Sequence, residues 1–324
     1  FRYPGVRSDS DMYALGYWFK PWRDGKAIAD GPAILNYIRE TAREYDLEKE
    51  IRYGHRVRRA EWDSAEATWT VEVETEDSPQ RRGDAGKERM IFTCSFLYLC
   101  TGYYRYEEGY TPEWAGFADY EGMVVHPQNW PAGLDYSGKR VLVIGSGATA
   151  VTLVPAMAAT AEHVTMLQRS PTYVVSMPSQ DRIANAFRAV LPAKAAYAAT
   201  RWKNVLRQMF FYGLAKKRPS AMKRLIEKGV RAELGEEYLE HFRPTYNPWD
   251  QRLCLVPDSD LFAAIREGKA PADVGRPRAP VALPASVLRP PWIGRAREWA
   301  ALERAVAEGR GAIVVGAPGV GKSR

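Results

Sequence analysis

A run of small residues, Gly145-Ser146-Gly147-Ala148-Thr149-Ala150, follows the apolar stretch Val141–Ile144 and opens an alanine-rich segment. The spacing is G-x-G-x-x-A. The first glycine permits a tight turn and the second lets the backbone approach a pyrophosphate. The alanine lets the following helix lie close to its strand, with its N-terminus facing the phosphates. The chemistry is dinucleotide binding; the bland reading is a strand–helix turn that merely uses glycine. Which dinucleotide follows from the end of the next apolar stretch. An NAD site places Asp or Glu there for the ribose 2′-hydroxyl, whereas this chain has Gln168-Arg169-Ser170. Arg169 offers a planar cation suited to a 2′-phosphate and Ser170 a further donor, so NADPH is predicted over NADH. A solvated surface arginine is the alternative for Arg169.

A second phosphate signature lies near the end of the sequence. Gly316-Ala-Pro-Gly-Val-Gly321-Lys322-Ser323 is a full G-x-x-x-x-G-K-S after Ala312–Val315. Its backbone amides would cradle phosphates, Lys322 would reach the β and γ oxygens, and Ser323 would bind Mg²⁺. With Trp292-Ile-Gly-Arg295 before it, the stretch resembles the opening of the AAA-like ATPases of bacterial transcriptional regulators. Arg324 ends the sequence before the helix and the acidic residue such a site uses, so this P-loop is expected to be incomplete.

The elements that must hold these groups can be read from periodicity. Ile34, Tyr37, Ile38 and Ala42 recur at helical spacing and predict a helix over Gly31–Tyr45. Arg56–Trp62, Trp69–Val73 and Met90–Leu99 predict three strands of a β-meander, with a long charged loop at Asp77–Glu88. Val141–Ile144, the glycine turn, a helix over Thr149–Thr160 and a strand at Val164–Leu167 predict a β–α–β unit with parallel strands. Residues 181–243 read as helical and basic. Six prolines in 271–291 mark a linker.

Several stretches together resemble one family. Tyr120-Glu-Gly122-Met-Val-Val-His126-Pro-Gln-Asn-Trp130-Pro131 resembles the F-x-G-x-x-x-H-x-x-x-W-P fingerprint of Baeyer–Villiger monooxygenases, with Tyr in place of Phe. Phe1-Arg-Tyr-Pro-Gly-Val-Arg7-Ser8-Asp9 is similar to the family's R-Y-P-G-x-R-x-D segment, and Leu99-Cys100-Thr101-Gly102 to its [AC]-T-G motif. Ser8–Tyr13, Ile144–Val151, Gln168–Tyr173 and Tyr246–Pro257 resemble the ethionamide-activating mycobacterial branch of that family. The similarity runs from Phe1 to about Lys269.

The resemblance implies an α/β fold of the two-dinucleotide-binding-domain flavoprotein type. An incomplete FAD domain with its meander would occupy residues 1–131, and a Rossmann NADP domain with a helical insert at about 181–243 would occupy 132–269. A linker at 270–291 and the start of a P-loop unit at 292–324 would follow. It also implies FAD and NADPH as cofactors, O₂ as co-substrate, and a lipophilic ketone or thio-compound as substrate. The flavin reduced by NADPH would activate O₂ for ester formation or for oxygenation of sulfur or nitrogen. Arg252 matches the family's permanent cation beside the flavin, and Asp9 the acid that pairs with it. Arg7, Ser8, Asp9, Tyr13, Val57, Thr101 and Gly102 match positions flanking the FAD. Structural readings stand beside these: Arg252 as a bridge between elements and Asp9 as an Asx-turn cap. His126 is given no proton-transfer role. The resemblance further implies that the flavin's own G-x-G-x-x-G unit and much of the substrate pocket lie outside this sequence. The competing reading is an ATP-binding regulatory protein fused to a monooxygenase remnant.

The 324-residue composition, with 46% hydrophobic and 26% charged residues, is that of a globular protein of about two domains. No apolar run is long enough to cross a bilayer. Three separated cysteines and four histidines give neither a disulfide framework nor a metal site, and a reducing cytoplasm is the expected home. The net charge of +7 is uneven: Arg182–Arg231 holds thirteen Lys or Arg and one acid, Glu227. Whole-chain basicity therefore gives no argument for nucleic acid. The basic stretch reads either as a solvated face of the helical insert or as a surface that touches anionic lipid.

Overall fold

A computed structural model of the chain describes residues 3–75, 88–102, 105–112, 117–168 and 170–268. Contacts divide the chain into two compact units, one of Phe1–Asn36 with Arg105–Arg324 and one of Tyr37–Tyr104.

The second unit is built on a three-stranded antiparallel meander of β1 (His55–Asp63), β2 (Thr68–Thr75) and β3 (Glu88–Cys94). The period-two alternation of Trp69–Val73 is realised: Val71 and Val73 are buried while their neighbours are less so. Trp62 pairs with Trp69 across β1 and β2, with ring centroids 5.6 Å apart. The third strand stops at Cys94, five residues short of the predicted end. Phe96, Tyr98 and Leu99 keep strand-like composition but are largely exposed and pair with no strand among the described residues. An apolar run becomes a strand only where a neighbour accepts its backbone hydrogen bonds.

In the first unit, β4 (Arg140–Ile144) runs parallel to β5 (His163–Leu167), from Arg140 opposite His163 to Ile144 opposite Leu167. The helix α3 (Ala148–Ala158) joins them, so the predicted β–α–β unit forms with its helix one residue early and two short. Val154 of α3 and Val164 of β5 are wholly buried, each contributing about 1.5–3 kcal/mol through loss of apolar surface.

A second parallel pair, β6 (Tyr173–Met177) and β7 (Leu253–Pro257), brackets the helical insert. The insert consists of α4 (Arg182–Val190), α5 (Ala193–Lys217) and α6 (Pro219–Leu234), and the short helix α7 (Asp260–Arg266) follows β7. Phe242, Val256, Leu261 and Phe262 join α3 and β5 in one apolar core.

The N-terminal segment belongs to this unit and is pinned to it by polar contacts. Gly5 has φ +74° and packs so closely on α3 that a Cβ there would lie 2.9 Å from the Thr152 carbonyl oxygen. Asp11 caps the one-turn helix α1 (Met12–Leu15) by accepting the Ala14 N–H. The same carboxylate, buried, accepts from Asn204 Nδ2 at 2.9 Å and Gln208 Nε2 at 2.7 Å of α5. Arg201 donates to the carbonyls of Tyr13 and Gly16. The predicted helix over 31–45 is α2 (Gly31–Glu44), begun by Asp30, whose carboxylate accepts the Ala33 N–H.

Candidate dinucleotide site and its surroundings

The glycine turn sits between the end of β4 and the start of α3. Gly145 has φ 146°, a conformation that side chains other than glycine rarely adopt, and donates its N–H to the Leu167 carbonyl at 2.8 Å. Gly147 occupies the N-cap of α3 and offers no side-chain acceptor, so the first amides of the helix keep their donors for another partner. Gly145, Ser146, Gly147 and Ala150 are buried, Thr149 is partly buried and Ala148 is exposed. Burial of Ala150 is the close strand–helix approach that the last position of the motif requires.

Ser146 points inward. Its hydroxyl donates to the Ser170 carbonyl at 2.9 Å and accepts from the Thr172 hydroxyl at 3.1 Å. Turn and post-β5 segment are thus tied together, although Ser170 takes part through its backbone. Gln168 donates from its side-chain amide to the His241 carbonyl. Arg169 lies outside the described residues, as do Gly316, Gly321, Lys322 and Ser323 of the P-loop signature.

Arg252 leads into β7 and is held by contacts that sequence reasoning missed. Tyr173 donates its hydroxyl to the Tyr246 carbonyl at 2.7 Å, and Tyr246 donates its own to the Arg252 carbonyl at 2.8 Å. The two rings meet edge to face at 5.4 Å. Burial pushes the Tyr173 hydroxyl up to about 12. Between them, Trp249 takes a left-handed backbone (φ 63°), and Lys216 of α5 reaches the Asp250 carboxylate at 2.6 Å. The signal available in the sequence was the pair of aromatics at 173 and 246 in two family-like stretches, read there only as resemblance.

Cys254 follows Arg252 on the buried side of β7, its thiol 4.0 Å from the Ser146 carbonyl oxygen. Burial pushes this thiol up to about 11; the Arg252 charge opposes the shift and the Asp9 charge adds to it. The structure therefore brings Arg252 and Asp9 within electrostatic reach of one sulfur beside the glycine turn, without pairing them directly.

Other residues expected to flank FAD have different partners. Arg7 forms a two-pronged ion pair with Asp260, the first residue of α7. Tyr13 is buried and donates its hydroxyl to the Asp24 carbonyl at 2.9 Å, which makes it a packing residue of the N-terminal segment. Ser8 is buried and accepts the Ala29 N–H; Asp9 is exposed. In the second unit Val57 is exposed on β1, and Thr101 and Gly102 are exposed with Gly102 at φ +67°. A groove of about 320 Å³ lies between Gly5, Arg7, later turns of α3 and α7, away from the N-terminus of α3.

The fingerprint segment has a structural explanation. The Tyr120 ring covers Gly122, and the His126 ring covers Gly109, in both cases where a Cβ would collide. His126 also caps the turn Pro127–Asn129 by accepting the Gln128 N–H at 3.2 Å, and burial lowers its pKa. Trp130 packs edge to face on Tyr136 against the core.

A parallel β–α–β unit with a glycine turn, a second parallel pair bracketing a helical insert and a separate antiparallel meander define a mixed α/β fold. It is similar to that of the two-dinucleotide-binding flavoprotein monooxygenases. Oxidized steroid monooxygenase bound to NADP superposes with a TM-score of 0.61 at 24% identity, over 82% of this chain and 56% of that one. A crystal structure of OTEMO with FAD and NADP gives 0.58 at 22% identity, over 82% and 58%. Residues 27–217 match the profile of the flavin-binding monooxygenase-like family, FMO-like, and the chain belongs to that family. It is 52% identical over 272 residues to the FAD-containing monooxygenase EthA of Mycobacterium tuberculosis, covering 83% of this chain and 54% of EthA. The probable FAD-binding monooxygenase AlmA of Acinetobacter baylyi is 47% identical over 272 residues, covering 83% and 53%. The chain thus spans about half the length of the curated relatives it matches.

Proposed function

We propose that this chain forms the NADPH-handling part, and one flank of the flavin site, of an FAD-dependent monooxygenase that oxygenates a lipophilic ketone or a thio-compound. The observation that carries the reading is the Gly145–Ala150 turn: a positive-φ glycine, an uncapped helix N-terminus and a buried alanine where a pyrophosphate would lie. These groups fit a dinucleotide, because amide donors and the helix dipole both favour an anion there. Bound NADPH would supply the reducing equivalents and FAD the activation of O₂.

The chain's own residues bind and orient. The amides opening α3 hold the pyrophosphate, and Arg169 with Ser170 selects the 2′-phosphate. Arg252 presents a planar guanidinium cation, and its backbone is held by the Tyr246 hydroxyl, which donates to the Arg252 carbonyl. Asp9, whose charge also reaches the Cys254 sulfur, tunes that cation. Thr101 and Gly102 are the flavin-flanking groups that stay accessible. By function the chain divides into a flavin-flanking part at 1–131 and an NADPH part at 132–269. By packing, residues 1–36 share a unit with the glycine turn. No observation favours the ATP-binding alternative, since its residues lie outside the described ones.

Titration with both cofactors tests the reading. NADPH is expected to bind at least tenfold more tightly than NADH, and Arg169→Ala to close most of that gap. Equal affinity of the unaltered chain for the two would overturn the NADPH assignment.

A further inference from the structure

The longest helix among the described residues, α5, is turned against the usual amphipathic sense. The buried side of α5 carries Ala196, Thr200, Asn204 and Ala215, small or polar residues, of which Asn204 donates to the Asp11 carboxylate. Its outward side carries Trp202, Leu206, Met209 and Phe210, which are 65%, 59%, 64% and 65% exposed. At about 100° per residue these four fall on one stripe, which continues through Ala195 and Ala198 toward one end and Gly213 toward the other. Exposed cations close both ends: Lys194 at the first turn, and Lys217 at the last with Arg218 just after it, none of them ion-paired among the described residues. Trp18, 80% exposed, stands in the loop after α1, and α1 packs on α5.

We propose that this face of α5 docks the protein onto an anionic membrane surface, with the apolar stripe in the headgroup–acyl boundary and the flanking cations on lipid phosphates. The charge pattern selects this occupant. Between Arg182 and Arg231 thirteen cations stand against one acid, Glu227, which is bound to Arg243. Lys203, Lys216 and Arg231 pair with Asp181, Asp250 and Glu236, and the remaining excess of cations complements an anionic surface. A second copy packed antiparallel on the same stripe would set Lys194 of one chain against Lys217 of the other. Nucleic acid is disfavoured because the middle of the stripe has no cation between its apolar side chains, whereas groove binders interleave the two. Aromatic and aliphatic residues in the centre with long cations at the margins is the arrangement of interfacial helices, whose cations snorkel toward headgroups. No helix among the described residues is long and apolar enough to span a bilayer, so the contact is peripheral. This docking does not depend on the oxygenation reading.

Flotation of the 324-residue chain with vesicles tests it. The chain is expected to float with equal parts phosphatidylcholine and phosphatidylglycerol, and roughly tenfold less with phosphatidylcholine alone. The triple variant Trp202→Ser, Leu206→Ser, Phe210→Ser alters only exposed side chains, so circular dichroism and NADPH affinity should stay unchanged while flotation falls at least about tenfold. Lys194→Gln with Lys217→Gln and Arg218→Gln should weaken binding to the anionic vesicles and flatten its salt dependence. Failure to float at low salt overturns the proposal, as does undiminished flotation of the serine variant. Self-association in the ultracentrifuge that the serines abolish, or retention on single-stranded DNA that they leave intact, would overturn it in favour of those partners. Loss of flotation in a longer product of the same reading frame would also overturn it, the stripe then being an internal seam.

Discussion

Gly145 is the residue where backbone geometry and proposed chemistry meet. At φ 146° an added Cβ strains the main chain by about 1–3 kcal/mol, whatever space surrounds it. Gly145→Ala should therefore leave a folded protein whose NADPH affinity is lowered at least tenfold, read by titration of nucleotide fluorescence. An unchanged affinity would separate this turn from the cofactor. Single residues in this chain were legible where the chemistry dictates the residue type: glycine in the turn, alanine at the strand–helix contact. They were illegible where a polar side chain is used for packing. Asp11 entered only as part of the family-like stretch Ser8–Tyr13, because a buried carboxylate with three donors looks in sequence like any exposed one. Arg7 and Tyr13 lie in a family-like segment, yet each has a partner far away or in the main chain, Asp260 and the Asp24 carbonyl. His126, given no proton-transfer role, is a hydrogen-bonded cap.

At the scale of elements, periodicity gave the parallel pair and the meander, because their side-chain patterns are imposed by burial on one or both faces. It overextended the third strand, whose last five residues pair with no strand among the described residues. It also left α5 undecided between a solvated and an interfacial face, since composition carries no direction. The fixing point is the Asp11 carboxylate, which turns the Asn204 side of the helix inward and so sends Trp202 and Leu206 out. Asp11→Ala removes a cap and orphans the Asn204 and Gln208 amides, for a loss of about 3 kcal/mol. Its melting temperature should fall by several degrees, and Asp11→Asn, which keeps one acceptor, should lie between. A melting temperature equal to that of the parent would show that the N-terminal segment is not what orients α5.

For the whole molecule, the buried thiol and phenol near Arg252 bear on stability in alkali. Folding raises Cys254 from 9.0 to about 11, and Tyr173 from 10.0 to about 12, in each case chiefly by burial. Both groups therefore favour the fold in their neutral forms. The contribution is intact below pH 9 and is lost as pH rises from 9 toward 12, while the unfolded chain ionises first. Denaturant melts across this range should show a falling stability whose first part is flattened by Cys254→Ala and whose later part is flattened by Tyr173→Phe. A slope unchanged in both variants would place the alkaline transition elsewhere.

The ties between the N-terminal segment and the helices have one more consequence, in the order of folding. Residues 5–30 leave the ribosome before the helices they join, so Asp11 waits for Asn204 and Gln208, and Arg7 waits for Asp260. The strand pairings of Tyr37–Tyr104 are by contrast local, and can close as soon as β3 emerges. The segment Tyr37–Tyr104 can thus fold while residues 5–30 are still unpartnered, and the Arg7–Asp260 tie closes only when α7 has been made.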